Sequence, residues 1–200
     1  MRHRSYRARS TFCSARREAE AIAALVPASE RLLALGFDAH KGLATSPALA
    51  SYRILHIATH GFIDDVHPEL SGLALSNVDA AGQPREGFLR LHEVYNLTLP
   101  ADLVTLSACS TALGEGVRGE GLVGLARGFF YAGASRLVVS LWKVDDQATA
   151  ELMPRMYQGI FQQGLPPSAA LRQAQQQLRR EASWQHPFYW AGFELQGEWR

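Results

Sequence analysis

Three short apolar runs constrain the fold of this chain most: RILHIAT (53 to 59), DLVTLSA (102 to 108) and SRLVVSLW (135 to 142). Each is nearly continuous in its apolar character rather than alternating, the pattern of a strand buried on both faces. A strand of that kind needs helices on either side of its sheet. Segments with helical spacing supply them: REAEAIAALV (17 to 26), GLVGLARGFFYAGA (121 to 134), DDQATAELMPRMYQGIF (145 to 161) and the stretch from Ser168 to Arg180. In the second, Leu122, Leu125, Ala126 and Phe129 share one face, and Val123 and Phe130 make the other side apolar, so that helix is expected to be largely buried. Asp145 or Asp146 caps the third, and Leu171, Ala174, Leu178 and Ala182 form the buried stripe of the last.

Weaker signals fill the remainder. ERLLALG (30 to 36) reads as a short strand, and the stretch to Tyr52 as a helix interrupted by Pro47. Phe62 to Pro100 is loop-rich, with a hairpin around DAAGQP (79 to 84) and a short helix near LHEVYNL (91 to 97). YWAGFEL (189 to 195) supplies a last strand. Strands separated by helices predict an α/β domain with a mainly parallel sheet, whose chemistry gathers at the carboxyl ends of the strands.

Composition narrows the class. Two hundred residues, 47% hydrophobic and 20% charged, form one globular domain with a real core. The net charge of +1 hides an asymmetry: Arg2, Arg4, Arg7, Arg9, Arg16 and Arg17 all precede the first acidic residue, Glu18. The rest of the chain carries 14 basic against 19 acidic residues, which argues against a nucleic-acid-binding face on the core domain. Residues 1 to 16 are read as a basic flexible arm and 17 to 200 as the domain. The arm has the Arg and Ser content of a transit peptide but no clear apolar stripe. Two cysteines, Cys13 and Cys109, make no disulfide framework, and no apolar run approaches the length of a membrane span. The expectation is a cytoplasmic protein with reduced thiols, no membrane association and no cofactor.

His60 and Cys109 each stand at the carboxyl end of a buried run, the first before a glycine and the second before a glycine-rich loop. Such a pair suits nucleophilic catalysis. A thiolate attacks, and an imidazole manages its proton and later protonates the leaving amine. The plain alternative is a small core cysteine and a hydrogen-bonding histidine at a strand end. The same glycine tract also spells G-x-G-x-x-G over Gly119 to Gly124, with Asp145 about twenty residues on, which resembles a dinucleotide fingerprint. Against that reading, about ten residues separate the strand from Gly119, and Glu120 brings a carboxylate to where a pyrophosphate sits. His56 to His60 echoes the zincin H-E-x-x-H, but position 57 is Ile and no third ligand is apparent, so no metal site is expected. Ser107 and Ser110 lack a nucleophile elbow. Trp142, Asp145 and Asp146 close the third strand and either line a pocket or serve as an aromatic wedge and a helix cap.

HIATHG (56 to 61), LSACSTALGEGVRGEGLVGLARGFFYAGA (106 to 134), VVSLWKVDDQATAELM (138 to 153) and HPFYWAGFELQGEW (186 to 199) together resemble the CHAT domain of the caspase, separase and legumain clan of cysteine peptidases. The resemblance runs from about Arg17 to Trp199. It implies a caspase-hemoglobinase-like three-layer sandwich with a mainly parallel central sheet, and a catalytic dyad of His60 and Cys109. It further implies an oxyanion hole from the amides of Gly61 and Cys109. In the segment that resembles the separase pocket wall, Asp146, or less favourably Asp145, would select a basic P1 side chain beside Trp142. CHAT domains usually carry further strands ahead of the helix matched by REAEAIAALV, so the N-terminal strands are expected to be missing. The implied function is a cysteine endopeptidase module acting on a protein or peptide, controlled by a regulatory protein or an upstream helical-repeat region. A catalytically silent interaction module and a dinucleotide-binding protein are the alternatives.

Overall fold

A computed structural model describes residues 6–64, 67–107, 109–112 and 120–199. In chain order the elements are α1 (Tyr6–Ala23), α2 (Lys41–Ala44), β1 (Ile54–Ile57), β2 (His60–Ile63), β3 (Gly72–Ala74), β4 (Phe88–Arg90) and α3 (Leu91–Val94). There follow β5 (Leu103–Leu106), β6 (Cys109–Ala112), α4 (Glu120–Tyr131), β7 (Arg136–Ser140), α5 (Asp146–Gln163), α6 (Pro167–Arg179), α7 (Pro187–Trp190) and β8 (Phe193–Gly197). The strands form two four-stranded sheets, in the orders β1-β5-β7-β8 and β4-β3-β2-β6. The fold is mixed α/β with a mainly parallel central sheet, in keeping with a caspase-like fold.

The chain divides into two compact units, one of residues 34–143 with 195–198, the other of residues 1–33 and 144–194 with 199–200. In the first, β5 pairs in parallel with β1 on one side and β7 on the other, and all four of its residues are buried, as its unbroken apolar run predicts. Strand alternation then sorts the side chains. Leu55, Val104, Leu106, Leu137 and Val139 belong to the main core, together with Val94 of α3 and Leu125, Ala126 and Phe129 of α4. Each such burial contributes about 1.5–3 kcal/mol. The intervening positions, His56, Thr105 and Val138, lie in register with one another on the opposite face.

The smaller sheet is absent from the expectations drawn from sequence, because β3 and β4 have only three residues each and β2 and β6, HGFI and CSTA, are not continuous apolar runs. Its β2–β3–β4 meander is antiparallel. At Gly72 an added Cβ would lie 2.2 Å from the Leu89 carbonyl oxygen, so β3 and β4 approach as they do only with glycine there. The hairpin read at DAAGQP is present: Val78 bridges Pro84, and the Asp79 carboxylate accepts from the N–H groups of Ala81 and Gln83, both at 2.8 Å.

In the second unit α5 packs on α1 and α6 and buries Leu152, Met153, Met156 and Tyr157. Gly164, at φ 65°, closes α5 in the left-handed conformation, and the Leu165 N–H donates back to the Gly159 oxygen at 3.0 Å. Arg17 bonds Glu151 at 2.6 Å, and Arg155 bridges Glu151 at 3.2 Å and Glu181 at 2.7 Å, tying α5 to α1 and to the turn that follows α6.

Four local expectations are corrected. ERLLALG contains no strand: Leu32 and Leu33 are exposed, and no neighbouring strand pairs with them. The stretch before Tyr52 splits into α2 and a 3-10 turn at Pro47–Ser51, because proline can begin a turn but not continue the preceding helix. Ala182 falls beyond the end of α6 and is exposed, whereas Leu171, Ala174 and Leu178 are buried as read. The last strand starts at Phe193 rather than Tyr189, since Pro187 opens the short helix α7.

Gly72→Ala is expected to destabilise the protein by about 1–3 kcal/mol through overpacking against the β4 backbone. Urea denaturation is the check, with a lower midpoint at an unchanged slope as the expected result.

Candidate functional site

The register of the two sheets positions the site. In the main ladder Ile54 pairs with Leu103 and Ile57 with Leu106; in the smaller sheet His60 pairs with Cys109 and Ile63 with Ala112. The partner is 49 residues on in both ladders (54 to 103, 60 to 109). β1 with β2, and β5 with β6, are thus two parallel tracks that part company briefly and resume in the same register. At the break the Ser107 N–H donates to the Ile57 oxygen at 3.0 Å, holding the tracks together. His60 and Cys109 come out as Cα partners on adjacent strands, which stand about 4.8 Å apart.

His60 is also held from its other side. It pairs with Ala74 of β3, and the Thr59 hydroxyl donates to the Ala74 carbonyl oxygen. Its ring is half-buried, with Nδ1 shielded from solvent. Gly61 is buried between Leu73 and Ser110 in the same ladder. Phe62 meets Phe88 edge to face at 6.2 Å, and the buried Ser71 hydroxyl accepts from the Asp64 N–H at 3.0 Å, closing the turn beyond β2.

An ion network anchors the outer edge of the smaller sheet. Lys41 of α2 bonds Glu86 at 2.8 Å and Glu93 of α3 at 2.6 Å, and Arg90 bonds Glu86 at 3.0 Å. A second Glu93 oxygen accepts from the Arg90 N–H at 2.9 Å, capping α3. Burial opposes the charge on Lys41, but the hydrogen bonds and charges of Glu86 and Glu93 outweigh it and raise the ammonium above its usual range. The Lys41 hydrogen bond holds Glu86 below the ordinary carboxylate range. Burial pushes Glu93 up, and its bonds to Lys41 and the Arg90 backbone more than reverse that.

The other residues read as a site divide between the two units. Trp142 is half-buried two residues beyond β7, in the unit that holds His60 and Cys109. Asp145 and Asp146 belong to the other unit. The Asp145 carboxylate caps α5, accepting from the N–H groups of Gln147 at 3.0 Å and Ala148 at 2.9 Å, while Asp146 is the first residue of the helix. Gly119 of the glycine fingerprint lies outside the described residues, and Glu120 opens α4. His56 and His60 sit on successive strands rather than on one helical turn, and no group of three or more metal-binding side chains gathers among the described residues. No helix among the described residues is long and apolar enough to cross a membrane.

The family model of the CHAT domain matches residues 7–198. The chain belongs to the CHAT domain family. That places it in the caspase-like clan, as the four sequence blocks imply. Among curated proteins it is similar to tetratricopeptide repeat protein 28 of Mus musculus, 36% identical over 113 residues, and of Homo sapiens, 35% identical over 113 residues. Each match covers 56% of this chain and 4% of the relative, so this CHAT domain matches only a small part of those proteins.

Sequence reasoning singled out His60 and Cys109 but missed the strands that pair them. A signal was present: each residue stands three positions beyond the last residue paired in the main ladder, Ile57 and Leu106.

The ion network sets a pH window for stability. Glu86 and Glu93 are lowered in the fold, so their contribution is complete above the unfolded value near 4.5 and is lost as pH falls through their folded values. Lys41 is raised, so its contribution is complete below 10.5 and is lost as pH rises through its folded value. Lys41→Met is expected to cost roughly 2 kcal/mol at pH 7. Chemical denaturation from pH 3 to 11 should show the difference from the parent shrinking at both extremes.

Proposed function

We propose that this CHAT domain is a cysteine endopeptidase module in which His60 and Cys109 form the catalytic dyad. The observation that carries the reading is their register: two residues 49 apart in sequence are main-chain partners on adjacent strands. The Cys109 thiolate attacks the substrate carbonyl carbon, and a tetrahedral intermediate forms. The C–N bond then breaks, His60 protonates the departing amine, and the acyl group remains as a thioester until water hydrolyses it. Backbone amides at Gly61 and Cys109 serve as the oxyanion hole, at about 3 kcal/mol of transition-state stabilisation per donor.

By the resemblance to the separase segment, the cleaved bond follows a basic residue, with Trp142 and Asp146 as the residues expected to select it. Residues 17 to 200 make up the functional module. Its setting is the cytoplasm, where reducing conditions keep Cys109 a free thiol. Neither cofactor nor nucleic acid takes part.

A second reading has support of its own. The similar curated proteins are named for tetratricopeptide repeats, which suggests a helical-repeat region as the partner and protein interaction as the context. A domain in that setting can present a peptide-binding surface without cutting.

Iodoacetamide and a basic acyloxymethyl-ketone probe are expected to label the parent and not Cys109→Ala; labelling that persists in Cys109→Ala overturns the assignment. On a peptide with arginine at P1, His60→Ala should lower kcat/KM by roughly 10²- to 10⁴-fold. Asp146→Asn should erase most of the preference for arginine over norleucine. Proteome-wide cleavage profiling against the alanine variant separates the two readings: equal profiles support the silent module.

A further inference from the structure

ERLLALG (30 to 36) has the composition of a buried strand but forms none. Arg31 to Leu35 lie in no helix, strand or turn, and both ends of that run have extended backbone angles: φ −130° and ψ 151° at Arg31, φ −128° and ψ 149° at Leu35. Gly36, at φ 56°, then turns the chain out of the run. Among the described residues, no main-chain N–H from Leu32 to Leu35 and no carbonyl oxygen of Leu32, Leu33 or Ala34 makes a hydrogen bond. Leu32 is 51% exposed and Leu33 42%. Consecutive side chains on an extended chain point to opposite sides, so the run is open on both sides at these two residues. Phe37, just beyond it, is 49% exposed.

The charges around the run differ in what they are free to do. Arg31 turns its guanidinium back to the carbonyl oxygens of Ala23 and, at 3.0 Å, Val26, and Arg85 commits its own to the carbonyl oxygens of Phe37 and Ser76. Glu30 and Asp38 flank the run, one towards each end. Both are exposed, and neither carboxylate has an ion-pair or hydrogen-bond partner among the described residues.

We propose that Arg31 to Leu35, with the carboxylates that flank it, is a strand-addition site for an extended segment of another protein, apolar along its middle and basic at its ends. Vacant main-chain donors and acceptors on an extended run are satisfied by a second extended chain, which gains affinity from backbone bonds and specificity from its side chains. The exposed leucines set the apolar middle, and Glu30 and Asp38 set the basic ends. A second copy of this chain is the wrong occupant. Pairing two such runs, in either direction, sets the acidic ends of one against the acidic ends of the other with no counter-charge between them. The inference goes beyond the reading of His60 and Cys109 and does not depend on it.

The test is amide hydrogen exchange of the intact chain, read residue by residue by NMR, with the acetylated and amidated peptide KVTVTVK as the probe. In the protein alone, the amides of Leu32, Leu33 and Ala34 should exchange at the rate of an unstructured chain. With the peptide at about ten times its Kd, either Leu32 and Ala34 or Leu33 and Leu35 should slow by about tenfold while the other pair stays fast, because an extended chain turns successive N–H groups to opposite edges. The same peptide N-methylated at every Val and Thr should bind about tenfold more weakly or worse. Glu30→Gln combined with Asp38→Asn, both at exposed positions, should weaken binding by about fivefold at low salt and keep the alternating pattern. Uniform slowing, no slowing, or equal binding of the methylated peptide overturns the inference. Slowing in the protein alone that grows with protein concentration also overturns it, by putting a second copy in the run.

Discussion

Everything at the candidate site depends on one main-chain constraint: two parallel tracks keep a constant register across a break. Had the chain gained or lost a residue in either track between the ladders, position 60 would pair with position 108 or 110 in place of Cys109. Because neighbouring side chains on a strand point to opposite faces, a slip of one would also invert the pairing. A break at residues 58–59 of the first track separates the sheet that supplies most of the core from the sheet that carries His60.

The smaller sheet can present residues because it is braced from outside. Three- and four-residue strands have little independent stability. Here Leu73 of β3 and Leu89 of β4 reach into the same core as β1, β5 and β7, and α3 follows β4 directly. Lys41 and Glu93 then secure the outer strand through a partly buried, hydrogen-bonded pair, and Glu86 and Arg90 extend it into the solvent-exposed part of the network. Exposed ion pairs are worth little; this one gains from the shelter of Lys41 and from its two carboxylate partners.

Much of the larger architecture was legible. RILHIAT, DLVTLSA and SRLVVSLW are nearly continuous apolar runs, and burial on both faces leaves that mark whatever the tertiary detail. α5 and α6 declared themselves by cap and stripe. The smaller sheet did not, because strands such as GLA and FLR are too short for periodicity to develop. ERLLALG misled for the opposite reason: its leucines look like a core strand, but no neighbour pairs with them. At the site, residue type and placement before glycine marked His60 and Cys109. Their pairing was hidden because it is a property of two distant segments, and one sequence records no distances. That Asp145 is the residue whose carboxylate caps α5 was visible only in the capping bonds.

The pairing of His60 with Cys109 through main-chain register has an evolutionary corollary. Backbone hydrogen bonds are indifferent to side-chain identity, so the register of the strands and the chemistry of the side chains they carry are inherited separately. A descendant that exchanged the thiol for another small side chain would keep the register of β2 and β6 and the strands beside them, and lose only the chemistry of the thiol.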